Sequence, residues 1–196
     1  MASFMDSLRE KVKANPKSII LAEGYDERHV KAAVILKKEG LAKDVVLIGD
    51  RAKVEALARE NSLTLGDSFA RVFDPKVESK TENYIELLFK AREKKGMTRD
   101  QARELIVYNS VYTGAAILAD GGADGMVGGA VYATGEMLRA ALFLIGLKPG
   151  IKTLSSTFFV ESPDKALFDD GILEIDVSLI DVNPDQPRKV QYFPRH

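Results

Sequence analysis

The chain has 196 residues, 28 Lys plus Arg against 29 Asp plus Glu, 45% hydrophobic residues, no cysteine and two histidines. That composition is ordinary for a folded soluble domain and leaves no global positive field for nucleic acid or an anionic bilayer. It excludes disulfides, thiolate zinc sites, thiol nucleophiles and His-rich metal clusters.

Residues 1–15 alternate charge with Met5, Leu8 and Val12, which predicts an amphipathic helix rather than a cleaved leader. No run reaches the ~18 apolar residues of a membrane span, so a cytoplasmic location is expected. Ser18–Ala22 reads as a buried strand, followed by a helix over Glu27–Glu39 with Asp26 and Glu27 at its start and Gly40 as its stop. Val45–Ile48 is a second strand, and Asp50 is placed to cap a helix over Arg51–Glu60. Arg71–Phe73 reads as a third strand, stopped by Asp74-Pro75. A helix over Thr81–Lys95 comes next, then Thr98-Arg-Asp-Gln101, a capping box opening another helix. A helix over Tyr108–Asp120, a strand over Asp124–Val127, a helix over Gly135–Ile145 and a β-rich run over Lys152–Val160 complete the pattern. Strands alternating with helices predict an α/β fold: a three-layer, doubly wound parallel sheet with helices on both faces. Lys148-Pro149-Gly150 suggests a boundary, with an α/β domain over 1–147 and the start of a second, incomplete domain over 148–196.

The chemistry concentrates where the strand at Asp124–Val127 meets Gly128-Gly129 and the helix restarts near Thr134-Gly135. Glycine lets backbone amides approach an anion, and a helix N-terminus adds free N–H groups. Arg139 lies little more than one turn into that helix and could fork onto phosphate. This is neither a P-loop nor a dinucleotide fingerprint. Local spacing leaves two readings open: an anion site, or a tight turn with Thr134 as N-cap and Arg139 on a solvated face. The acids in Glu23-Gly-Tyr-Asp-Glu27 are read as capping and dipole compensation rather than as ligands. His29 is read as a surface or helix-face residue, because no partner for a general base is evident. The cations around Arg92 and Lys94-Lys95 suit a helix C-terminus, and Ser155-Ser156 lacks a hydrolase elbow.

Taken together, Leu21-Ala-Glu-Gly-x-Asp-Glu-Arg28, Lys94-Lys-Gly-Met-Thr98, Ala123-Asp-Gly-Met-Val-Gly-Gly-Ala130, Leu138-Arg-Ala-Ala-Leu142, Lys148-Pro-Gly150 and Ser155-Ser156 resemble the phosphate acetyltransferase family and its butyryl relatives. The resemblance runs to about Gly171, and the end from about 174 does not match. It implies the first domain of a two-domain acyltransferase of acetate metabolism, commonly dimeric, with the second domain truncated. The implied reaction is reversible transfer of acetyl between acetyl phosphate and coenzyme A, without a metal or covalently bound cofactor. The implied partners are acetyl phosphate, phosphate and coenzyme A, with no nucleic acid and no membrane, in a homo-oligomer. Arg92 and Arg139 fall at the family's phosphate-binding arginines, and Gly128, Gly129 and Thr134 in its substrate loop. Many members carry serine where Gly128 stands and proline where Ala140 stands. The family's late serine–arginine pair and aspartate base have no counterpart in this sequence, so no catalytic residue is named. An alternative from a different class is a non-catalytic anion-binding or interaction module; a generic nucleotide-binding fold is the third reading.

Overall fold

The structure is a computed structural model describing residues 4–63 and 70–154 and the strands 157–161 and 172–176. Two compact units divide the chain, residues 8–146 in one and 1–7 with 147–196 in the other.

Helix α1 (Phe4–Ala14) is amphipathic but buries none of its residues. Four short strands, β1 (Lys17–Leu21), β2 (Ala42–Ile48), β3 (Arg71–Phe73) and β4 (Gly125–Val127), form one parallel sheet in the order β3-β2-β1-β4. Ile20 stands opposite Val46 on one side and opposite Met126 on the other, and Leu47 opposite Val72. Side chains alternate across this sheet, as period-2 strands require. Ile20, Ala22, Val46 and Ile48 pack on one face with α4 (Thr81–Arg92), α5 (Arg99–Tyr108), α6 (Ser110–Ala119) and α7 (Thr134–Leu144). Leu21, Val45, Leu47 and Val72 pack on the other with α2 (Glu27–Lys38) and α3 (Arg51–Glu60). The fold is therefore the expected three-layer α/β arrangement. The chain steps outward through β1, β2 and β3, then returns to the far side of β1 for β4. The strand order reverses between β1 and β4, and in open α/β sheets such a reversal opens a crevice at the carboxyl ends.

Local signals match closely where they are short-range. Asp26 caps α2 through the amide of Arg28, Asp50 caps α3 through that of Lys53, and the Thr98–Gln101 capping box is formed on both sides. Gly40 sits at φ +68°, the left-handed stop after α2. Three expectations shift. The helix from Thr81 ends at Arg92, and Glu93–Lys95 tighten into a 3-10 turn closed by Gly96 at φ +87°. The helix expected from Tyr108 begins at Ser110, because Asn109 leaves α5 in extended geometry and caps α6 with its side chain. Thr134 is not an N-cap: Ala133 is the extended flanking residue, without a side-chain cap, and Thr134 is already helical.

In the second unit, β5 (Thr157–Glu161) and β6 (Ile172–Asp176) pair antiparallel, with Phe159 opposite Glu174. The β-rich run expected over Lys152–Val160 thus yields a strand from Thr157, and Ser155-Ser156 lies outside the described residues. No helix among the described residues is long and apolar enough to cross a membrane.

Candidate functional site

The crevice between β1 and β4 is built by two loops far apart in sequence. After β1 the chain places Glu23, which is fully buried, and after β4 it runs through Gly128 to Ala133. The amides of Ala130, Val131 and Tyr132 all donate to the Glu23 carboxylate, at 2.9, 2.7 and 2.9 Å. The glycine-rich loop does present its backbone N–H groups to an anion, and that anion is the protein's own carboxylate. Glu23 is therefore not a helix-dipole acid, as its position before α2 suggests; that task falls to Asp26, which caps the helix.

His29 also departs from expectation. It is buried, with 8% of its surface exposed, and it has a partner. Its Nδ1 accepts the amide of Glu23 at 3.1 Å, which leaves the proton on Nε2, 3.6 Å from Glu23 Oε2. Burial pushes the Glu23 carboxyl up, but the three amides and His29 together hold it below its ordinary value. Arg28 adds a further tie: it grips Asp26 through two nitrogens and donates to the carbonyl of Ala130 at 2.9 Å. The Arg28 pair holds the Asp26 carboxyl down to about 2.

Gly128 and Gly129 serve different purposes in this loop. A Cβ built on Gly128 would meet Met137 Cε at 2.8 Å and Ala22 Cβ at 3.3 Å, so Met137 occupies the space a serine would need. Gly129 lies at φ +93°, a backbone region that L side chains rarely adopt.

Arg139 projects from α7 with 58% of its side chain exposed and donates to Glu136 at 3.0 Å. Asn109 Nδ2 donates to the other Glu136 oxygen at 3.3 Å, so the α5–α6 break helps fix the carboxylate that fixes Arg139. Arg92 lies over the Phe143 ring, its Cζ 3.9 Å from the ring centroid. It opens into a cleft of about 550 Å³ with Lys95, Gln101 and Glu104. Both arginines act on the buried Tyr112, whose ring packs edge-on against Phe143 with centroids 6.1 Å apart. Burial pushes the Tyr112 phenol up, Glu136 adds to the rise, and Arg139 and Arg92 oppose it. Arg92, Arg139 and Tyr112 thus share one electrostatic neighbourhood on α4, α7 and α6. Thr134 is exposed at the start of α7, and among the described residues no cluster of His, Asp and Glu could hold a metal ion.

A family model described as phosphate acetyl/butaryl transferase matches residues 3–182. The chain belongs to that family. Among curated relatives, the phosphate acetyltransferase of Clostridium acetobutylicum is 39% identical over 181 residues, covering 92% of this chain and 53% of the relative. That of Thermoanaerobacterium thermosaccharolyticum is 37% identical over 170 residues, covering 87% and 50%. A phosphotransacetylase from Streptococcus pyogenes superposes with a TM-score of 0.73 at 30% identity, covering 84% of this chain and 49% of that one. The chain spans about half the length of these curated relatives. The matched span takes in the Glu23 clasp, the loop after β4 and both arginines, and it continues past residue 174.

The sequence did not reveal Glu23 as the loop's anion, Tyr112 as the buried phenol that both arginines influence, or Asn109 as the support behind Glu136. Each depends on contacts between distant segments. The one local hint was Asn109, a good N-cap residue ahead of the apolar run Val111–Leu118.

Proposed function

We propose that this chain supplies the phosphate-holding part of a phosphate acetyltransferase, which moves an acetyl group reversibly between acetyl phosphate and coenzyme A. In the thioester-forming direction the thiolate sulfur attacks the acetyl carbonyl carbon. A C–S bond forms, the C–O bond to the phosphoryl group breaks, and inorganic phosphate leaves. Arg92 and Arg139 carry the phosphate, neutralising charge that grows on its bridging oxygen. Gly128, Gly129 and Thr134 border the substrate. The amides of Ala130–Tyr132 take no part in this binding, because Glu23 already fills them. The base and the donor to the carbonyl oxygen are not assigned to this chain.

The observation that carries the reading is the family match across both arginines, with Arg92 over the Phe143 ring beside the buried Tyr112 and Arg139 held by Glu136. With it go a dimeric assembly, a cytoplasmic location, and coenzyme A as substrate without a metal. Calorimetric titration with inorganic phosphate tests it. Arg139→Ala removes a charge-assisted fork worth about 1.5–3 kcal/mol, so affinity falls at least about tenfold. Unchanged affinity refutes the assignment. Acetyl-CoA formation from acetyl phosphate and coenzyme A tests turnover separately; phosphate binding with no turnover favours the anion-binding module.

A further inference from the structure

The two arginines of the proposed phosphate site are held by contacts of different chemistry. Arg139 is steered by a carboxylate, donating to Glu136 at 3.0 Å. That pair uses one of its donors and offsets part of its charge. Arg92 is steered by a ring. Its Cζ lies 3.9 Å from the Phe143 centroid, well inside the ~6 Å over which an aromatic face attracts a guanidinium. A phenyl ring carries no formal charge and no lone pair. It holds the cation without neutralising it and leaves the N–H donors of the guanidinium for a ligand.

Both partners of this contact are fixed from behind. Arg92 is the last residue of α4, and the amide of Met97 returns to its carbonyl at 3.3 Å as Gly96 closes the 3-10 turn. Phe143 packs edge-on against Tyr112, which is 1% exposed and belongs to the core. Phe143 also stands four residues beyond Arg139 on α7, so the two share one side of that helix. A single helix face therefore carries one arginine and the ring that places the other.

We propose that Phe143 is a positioning residue for phosphate, acting through Arg92. The role rests on the acetyl-transfer reading, which makes Arg92 a phosphate ligand. The ring holds the guanidinium at the cleft that Lys95, Gln101 and Glu104 border, before any ligand arrives. An arginine held in this way has less rotamer freedom to lose on binding. Released from the ring, it samples other rotamers and can turn toward the Glu104 carboxylate.

The test combines calorimetric titration of the whole chain with inorganic phosphate and NMR of the arginine side-chain Nε–H groups. In the parent chain the ring current of Phe143 displaces the Arg92 Nε–H resonance. Phe143→Leu keeps an apolar side chain in the packing but removes the ring. The displacement is then lost, and phosphate affinity falls about fivefold, as expected for losing a partly desolvated cation–π contact. Phe143→Tyr keeps the aromatic face and restores affinity to within about twofold of the parent. Urea midpoints of the variants are measured alongside, because a packing role alone predicts that affinity follows stability. Equal phosphate affinity in the parent chain and Phe143→Leu overturns the positioning role. So does a Phe143→Tyr variant that binds no more tightly than Phe143→Leu. Phosphate binding that Arg139→Ala weakens and Phe143→Leu leaves unchanged removes this role and spares the acetyl-transfer reading. A parent chain that shows the displaced Arg92 resonance but binds no phosphate overturns both.

Discussion

Replacing Glu23 with alanine probes the interaction that joins the two sides of the β1–β4 crevice. The change removes an acceptor that holds three amides at 2.7–2.9 Å and leaves a space beside His29. Hydrogen bonds to a charged group contribute about 1.5–3 kcal/mol each, but the loop lies near the surface and its freed amides can turn to water. A net loss of about 3 kcal/mol follows, within the range for breaking one side of a buried charged contact. For a chain of this size that lowers the melting temperature by about 6–12 °C. Glu23→Gln keeps the shape and one oxygen but turns an NH2 group toward an amide donor, so it costs less, about 1–2 kcal/mol. Urea unfolding followed by far-ultraviolet circular dichroism measures both. The pH dependence has a definite sign. The Glu23 carboxyl is held below its ordinary value of 4.5 in the native state, so the unfolded chain takes up the proton first. Its contribution is present in full above that ordinary value and is lost as pH falls through the lower native one. The gap between the parent chain and Glu23→Gln therefore narrows between pH 7 and about pH 3.5. An alanine variant destabilised by less than about 1 kcal/mol, or a gap that ignores acidification, refutes the account.

Two further perturbations test the surrounding framework. Gly24→Ala puts a Cβ 2.8 Å from the Ile48 carbonyl oxygen, a backbone atom that cannot step aside, so it costs about 1–3 kcal/mol; an unaltered urea midpoint would falsify that contact. Asn109→Ala removes the α6 cap and the support behind Glu136, costing about 1 kcal/mol in unfolding experiments and also weakening phosphate binding, whereas a cap acting alone would leave phosphate affinity untouched.

What could be read from the sequence was what neighbours in the chain decide. Asp26, Asp50 and the Thr98–Gln101 box act within three residues, so spacing alone identifies them. The alternation Ile20, Leu21, Ala22 and Val45 to Ile48 announced a sheet covered on both faces. The site was legible as a list of residue types but not as an arrangement. Glycines after a strand signal amides aimed at an anion, and nothing local says whether the anion is a ligand or a side chain. Here it comes from Glu23, more than a hundred positions away. His29 illustrates the same limit, since its burial depends on how α2 meets the loop rather than on its neighbours in sequence.

Helix α6 is buried from Ser110 through Ile117, on every side rather than along one stripe. No partial opening of the surface exposes its backbone, so its amide protons exchange with deuterium through unfolding of the whole compact unit. In α1, where no residue is buried, fraying suffices. Deuterium uptake along α6 therefore measures the global stability of the unit that carries both arginines.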